Sequence, residues 1–159
     1  GVDVLVGNWG QVAELFRFPG SSVRDGLADA REGESAETGQ GSSVPSPDTC
    51  RAMARAVEER FGPRSVALTY RVEDPDGVRG WGAFLYQGGE LFHAYSLVPD
   101  LVDGVGGGDA FSAGLIYGTL SGMGLPATLD FGVAASCLKQ GRPGDILRAT
   151  ADDVLNLVE

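Results

Sequence analysis

Residues 101–122, LVDGVGGGDAFSAGLIYGTLSG, constrain this chain more than any other stretch. An apolar run ends in Asp103; three glycines follow at Gly106, Gly107 and Gly108, and a second acid, Asp109, comes directly after them. Phe111, Leu115, Ile116 and Leu120 then recur at helical spacing. The pattern predicts a glycine-rich turn that opens a helix. Without Cβ atoms in the way, several backbone N–H groups can point at one spot, and the helix N-terminus adds partial positive charge. Such a place suits an anion. An acid there is favoured in its charged form and can take a proton from a hydroxyl. Donors for a phosphate beside a carboxylate that activates an alcohol are two parts that phosphoryl transfer needs.

Other glycine motifs fit less well. A dinucleotide-binding G-x-G-x-x-G starting at Gly104 would need glycine at 109, where Asp109 stands, and no Gly-Lys-Ser/Thr of a phosphate-binding loop is present. A glycine loop ahead of a merely buried helix remains the plain alternative.

Composition narrows the setting. With 159 residues, 43% of them apolar, one globular domain with a real core is expected. No apolar run is long enough to span a membrane, and the opening VDVLV is not a basic-then-apolar leader. Cys50 and Cys137 stand far apart in no metal-ligand spacing, which suits ordinary thiols in a reducing cytoplasm. A formal charge of −10 argues against nucleic acid and anionic membranes as partners.

Along the chain, Val2–Val6 reads as a buried parallel strand ending at Asn8, which suits a helix cap. A short helix over Val12–Phe18 is halted by Pro19-Gly20. Residues 19–47 are rich in Gly, Ser, Glu and Asp and read as a mobile surface insertion. A helix follows from Pro47 to about Phe61, with Ala52, Met53, Ala56, Val57 and Phe61 inward and Gly62-Pro63 as its stop. Ser65–Tyr70 is a strand that delivers Arg71 at its carboxyl end, where open α/β sheets place ligands. After a polar turn over Val72–Arg79, Trp81–Tyr86 and Leu91–Leu97 form a hairpin about Gln87–Glu90. The single histidine, His93, is structural. A helix over Ala127–Lys139 carries small residues at Gly132, Ala134, Ala135 and Ser136, which permit close approach of another helix or a flat ring. Thr150 caps a last helix with Val154, Leu155 and Val158 inward. The order of elements describes an α/β sheet layered with helices.

DGVGGGDAFSAG resembles the signature of the ribokinase-like (PfkB) carbohydrate kinases, D-x-x-G-A-G-D-x-F, through Asp103, Gly106, Gly108, Asp109 and Phe111, with Gly107 in place of the usual alanine. The triple glycine, AGLIYG, AASCLKQ and RPGD are similar to the bacterial 2-keto-3-deoxygluconate kinases of that family. The resemblance covers nearly the whole chain outside the insertion, and corresponds only to the C-terminal part of such a kinase. It implies a ribokinase-like layered sheet with helices on its faces, with a missing N-terminal half that completes the sheet and supplies most of the sugar pocket, or a homo-oligomer, as partner. It also implies ATP-dependent phosphorylation of a sugar acid, 2-keto-3-deoxygluconate at its 6-hydroxyl. Asp109 would be the catalytic base, with Gly106, Gly107 and Gly108 as the anion hole. Asp103 would fix the loop or a nearby cation, and Arg71 would offset phosphate charge. Asn8 belongs to an N-x-x-E corner that organises Mg²⁺, where Gln11 replaces the acid. Ser136, Lys139, Gly144 and Asp145 match positions that border the nucleotide. ATP and Mg²⁺ are the implied cofactors, with a monovalent cation beside them, and no direct metal ligand is assigned. The alternatives are a non-catalytic nucleotide-binding module, and a kinase for another sugar or a nucleoside.

Overall fold

The computed structural model describes residues 1–17, 44–73, 79–98 and 100–158. The expected insertion lies outside the described residues up to 43, as does the centre of the turn at 74–78. Nine elements follow one another: β1 (Val4–Asn8), α1 (Trp9–Leu15), α2 (Pro47–Phe61), β2 (Ser65–Glu73), β3 (Arg79–Gln87), β4 (Glu90–Leu97), α3 (Gly107–Leu120), α4 (Leu125–Gln140) and α5 (Ala151–Leu155).

The four strands form one sheet in the order β1-β2-β3-β4, with β1 parallel to β2 and the remaining neighbours antiparallel. Gly88 and Gly89, at φ 60° and 89°, make the two-residue turn between β3 and β4. Positive φ at both turn positions gives the backbone twist that matches paired strands, so the hairpin lies where the glycine pair requires it. Alternation along the strands divides the core. Val66, Leu68, Tyr70, Phe84 and Tyr86 face α1 and α2, while Ala67, Trp81, Ala83, Leu85 and Ala94 face α3 and α4. His93 stacks on Phe84 with ring centroids 4.4 Å apart and its Nε2 is hydrogen-bonded to the Tyr70 hydroxyl, a packing role.

Helix boundaries follow their caps. Ser46 accepts the Thr49 N–H at the start of α2, and Gly62 at φ 67° ends it. Thr150 and Asp153 close a reciprocal capping box on α5. Asn8 caps α1, accepting from the N–H of Gly10 and Gln11, so this helix starts at Trp9 and is over by Leu15, earlier at both ends than the apolar spacing predicts.

Several inward assignments are corrected. α2 buries Cys50, Met53, Ala54 and Val57, whereas Ala52 and Phe61 are exposed, because the helix meets the sheet over a narrow stripe one residue away from the predicted one. β1 is parallel as expected but not buried. Val4 is 43% exposed and Val6 38%, because β1 ends the strand order and only its Leu5 side packs on the α1–α2 core. β2 runs on to Glu73, so Arg71 lies within the strand, paired in register with Trp81. On α5 only Val154 is buried, with Leu155 and Val158 exposed, since five residues offer a single inward position to α4.

α3 and α4 pack through small residues. A Cβ on Gly114 would lie 2.7 Å from Gly132 Cα, and one on Gly118 would lie 2.9 Å from Thr128 Oγ1. The small-residue face of α4 therefore takes a helix. This close crossing leaves Ile116 and Leu120 of α3 outside, 60% and 82% exposed, despite their helical spacing. It also fixes α3, and with it the glycine turn, against α4 and the sheet.

Candidate active site

The β4 strand delivers the chain to the glycine turn at the sheet edge where β2 also ends. Gly106 is the N-cap of α3 at φ 79° and ψ −2°, and the Ala110 N–H donates to its carbonyl at 2.9 Å. The N–H groups of Gly107, Gly108 and Asp109 thus belong to the first turn, where no helical acceptor exists for them. Gly108 and Asp109 are exposed, and a Cβ on Gly108 would meet nothing within 4 Å. The Asp109 carboxylate and two or three backbone donors therefore share one open turn, as the sequence predicts.

Gly106 is required on two counts. Its φ is one that L side chains rarely adopt, and a Cβ there would lie only 1.9 Å from the Asp145 carbonyl oxygen. Gly107 is buried, and a Cβ on it would come within 3.2 Å of Cγ and Cδ of Gln140. Gln140 therefore fills the space that the alanine usual in the signature would use. Sequence reasoning missed Gln140; the glycine in place of alanine at 107 is the signal that could have found it.

Asp103 is a brace. Its Oδ1 accepts the Val105 N–H at 2.9 Å and its Oδ2 accepts the Gly144 N–H at 3.2 Å. The Val105 N–H first, then the Lys139 ammonium and the Gly144 N–H, hold this carboxyl below the usual carboxylate range, against an opposing effect of burial. Lys139 is fully buried, and its Nζ donates to the Asp103 carbonyl at 3.1 Å and the Arg142 carbonyl at 3.3 Å. The Gln140 carbonyl accepts the N–H groups of Val102 and Asp103. Arg71 is exposed and donates from Nη2 to the Gly104 carbonyl at 3.3 Å, which ties β2 to the same loop.

The structure thus gathers Asp103, Gly106, Gly107, Gly108, Asp109, Gly144, Asp145, Lys139 and Arg71 about one seam. Beside it lies a cleft of about 430 Å³ lined by Arg142, Pro143, Gly144, Asp145, Ile146 and Arg148. Ser136 is apart from this group: it is fully buried in α4 and its hydroxyl accepts from Gln140 Nε2. Asn8 stands at the end of β1 with its side-chain oxygen engaged in the α1 cap.

Among the described residues no three or more His, Cys, Asp or Glu gather as metal ligands. Asn8 has its oxygen in use and Gln11 is an exposed neutral amide, so this corner fits an Mg²⁺ ion carried by nucleotide phosphates and water rather than one caged by the chain. At Asp103 both carboxylate oxygens take backbone N–H groups, and the nearby Lys139 ammonium already supplies a positive charge, which disfavours a separate monovalent cation there. No helix among the described residues is long and apolar enough to cross a membrane.

Known proteins match this geometry. The layered sheet is that of the C-terminal part of the ribokinase-like kinases. The structure of 2-dehydro-3-deoxygluconokinase from Thermotoga maritima superimposes with a TM-score of 0.75 at 25% identity, over 99% of this chain and 41% of that one. A PfkB family carbohydrate kinase from Listeria grayi gives 0.69 at 21% identity, over 99% and 41%. Phosphofructokinase-2 from Escherichia coli in complex with potassium gives 0.56 at 16%, over 99% and 40%. The chain thus spans about 41% of the length of the first of these relatives. Residues 80–151, which hold the glycine turn, match the family model of the pfkB family carbohydrate kinases. No curated protein matches the chain significantly.

Proposed function

We propose that the chain is the catalytic, nucleotide-side part of an ATP-dependent sugar-acid kinase whose substrate is 2-keto-3-deoxygluconate, phosphorylated at the 6-hydroxyl. The observation that carries the reading is the turn at 106–109. It presents open backbone donors and the exposed Asp109 carboxylate together, on a loop braced from three sides by Arg71, Asp103 and Lys139.

Asp109 accepts the proton of the attacking hydroxyl, whose oxygen bonds to the γ-phosphorus as the bond to the β,γ-bridging oxygen breaks and ADP leaves. The first-turn N–H groups of α3 stabilise charge on the transferring phosphoryl group, and the glycines let it come close. Asp103 acts on the reaction only through the loop it holds. Arg71 offsets phosphate charge from within β2, through its hold on the Gly104 carbonyl. The cleft beside Gly144 and Asp145 is where the nucleotide lies, next to the turn that receives its phosphates. Mg²⁺ would be held by the nucleotide phosphates and by water near Asn8 and Gln11, and would supply neutralisation of the phosphate charge. The likeness to the Thermotoga enzyme supports the choice of substrate.

The test is Asp109→Asn in the protein at its natural length, with ATP and 2-keto-3-deoxygluconate. The expected result is a loss in kcat of about 10²–10⁴-fold, the usual worth of a positioned base, with ATP affinity nearly unchanged. A variant that keeps most of its activity overturns the base assignment. The neutral Gln11 favours a second reading, a nucleotide-binding module without turnover, which ATP binding with no sugar-dependent turnover in the natural-length protein would establish.

A further inference from the structure

We infer that the Lys139 ammonium is a built-in cation, which closes the seam between the glycine turn and the 142–145 loop in place of a monovalent metal ion. An alkali ion at this seam would need several oxygens from the two loops. Four of the oxygens that face it are already engaged, and the ammonium places a positive charge there that repels a second cation. The carbonyls of Asp103 and Arg142, one from each loop, accept from the same Nζ at 3.1 and 3.3 Å. Both Asp103 carboxylate oxygens accept backbone N–H groups, again one from each loop, Val105 and Gly144.

Lys139 is fully buried, and a buried ammonium persists only where acceptors and an opposite charge compensate its lost hydration. Here the two carbonyls and the Asp103 carboxylate supply that compensation. A neutral aliphatic side chain would fill the same volume but would leave both carbonyls without their shared donor. The anchor is firm because Lys139 lies in the last turn of α4, whose next residue, Gln140, holds the Val102 and Asp103 N–H groups and packs against Gly107. The two loops are therefore one unit. Lys139 is a positioning residue, since it touches the loops and not the reacting atoms.

The consequence for catalysis rests on the kinase reading, whereas loop closure does not, so the experiment reads both. Amide hydrogen exchange is followed at Val102, Asp103, Val105 and Gly144 in K⁺, Na⁺ and tetramethylammonium chloride at equal ionic strength. Sugar-dependent ATP turnover is measured in the same salts in the natural-length protein. The expected result is equal protection and equal turnover in all three salts. Lys139→Met is expected to speed exchange at these four amides together while Ala110 keeps its protection. The same variant should lower turnover by on the order of 10–100-fold, as loss of a supporting contact does. Protection or turnover in the unaltered protein that rises with K⁺ overturns the inference, as does a Lys139→Met protein whose four amides exchange at the original rate. Should Lys139→Met fail to fold, the salt series on the unaltered protein decides alone. A protein that phosphorylates nothing, yet shows salt-independent protection lost in Lys139→Met, refutes the kinase reading and supports the built-in cation.

Discussion

Three adjacent glycines should respond to the same substitution in three different ways. In Gly106→Ala the new methyl group would lie 1.9 Å from the Asp145 carbonyl oxygen, a backbone atom with no rotamer to escape into. The left-handed φ of 79° adds about 1–2 kcal/mol for an L side chain, and overpacking adds about 1–3 kcal/mol. The sum is a loss of about 2–5 kcal/mol. At an m-value of about 1–3 kcal/mol per molar urea, the unfolding midpoint should fall by about 0.7 M or more. Gly107→Ala meets only the Gln140 side chain, at 3.2 Å, which can yield by a few tenths of an ångström, so its cost should stay below about 1.5 kcal/mol. Gly108→Ala enters open space within the first turn of α3 and should be neutral or stabilising by up to about 1 kcal/mol. Urea unfolding followed by circular dichroism ranks the three. If Gly106→Ala unfolds within about 0.5 kcal/mol of Gly108→Ala, the contact between the turn and the 144–145 loop does not exist and the geometry of the site is wrong.

Other expectations concern the supports of the site. The folded-state pKa of Asp103 is depressed, so its contribution to loop stability is present above the ordinary value of 3.8 and is lost as pH falls through the lower folded value. Exchange at Val105 and Gly144, corrected for the intrinsic pH dependence, should accelerate over that window, and Asp103→Asn should flatten the profile. Burial pushes the Cys50 thiol up to about 12 and the Cys137 thiol up to about 11. Neither should react with a thiol-specific reagent at pH 8 until the protein is unfolded; rapid labelling of the native chain would contradict the packing of α2 and α4. Gly114→Ala brings a methyl within 2.7 Å of Gly132 Cα, and should cost about 1–3 kcal/mol by thermal or urea unfolding. An unchanged stability would mean that α3 and α4 cross elsewhere.

What the sequence determined by itself is local. Alternation and turn glycines gave the strands and the hairpin, and the run from Asp103 to Phe111 marked a glycine turn on a helix, because these features depend on residues within one or two turns of each other. The cap at Thr150 is legible for the same reason. Depth of burial was not legible. Val4 and Val6 have the composition of a buried strand and lie on an edge, while Ile116 and Leu120 keep helical spacing and face solvent. Burial depends on which element arrives opposite, and that comes from distant parts of the chain. The supports of the turn were decided in the same way. Asp103 meets Gly144 across 41 residues and Lys139 reaches back 36 residues to the Asp103 carbonyl, so only the tertiary fold could turn a lysine near the end of a helix into the clasp of the glycine turn. The chemistry was written in adjacent residues; its rigidity was assembled by the crossing of α3 and α4.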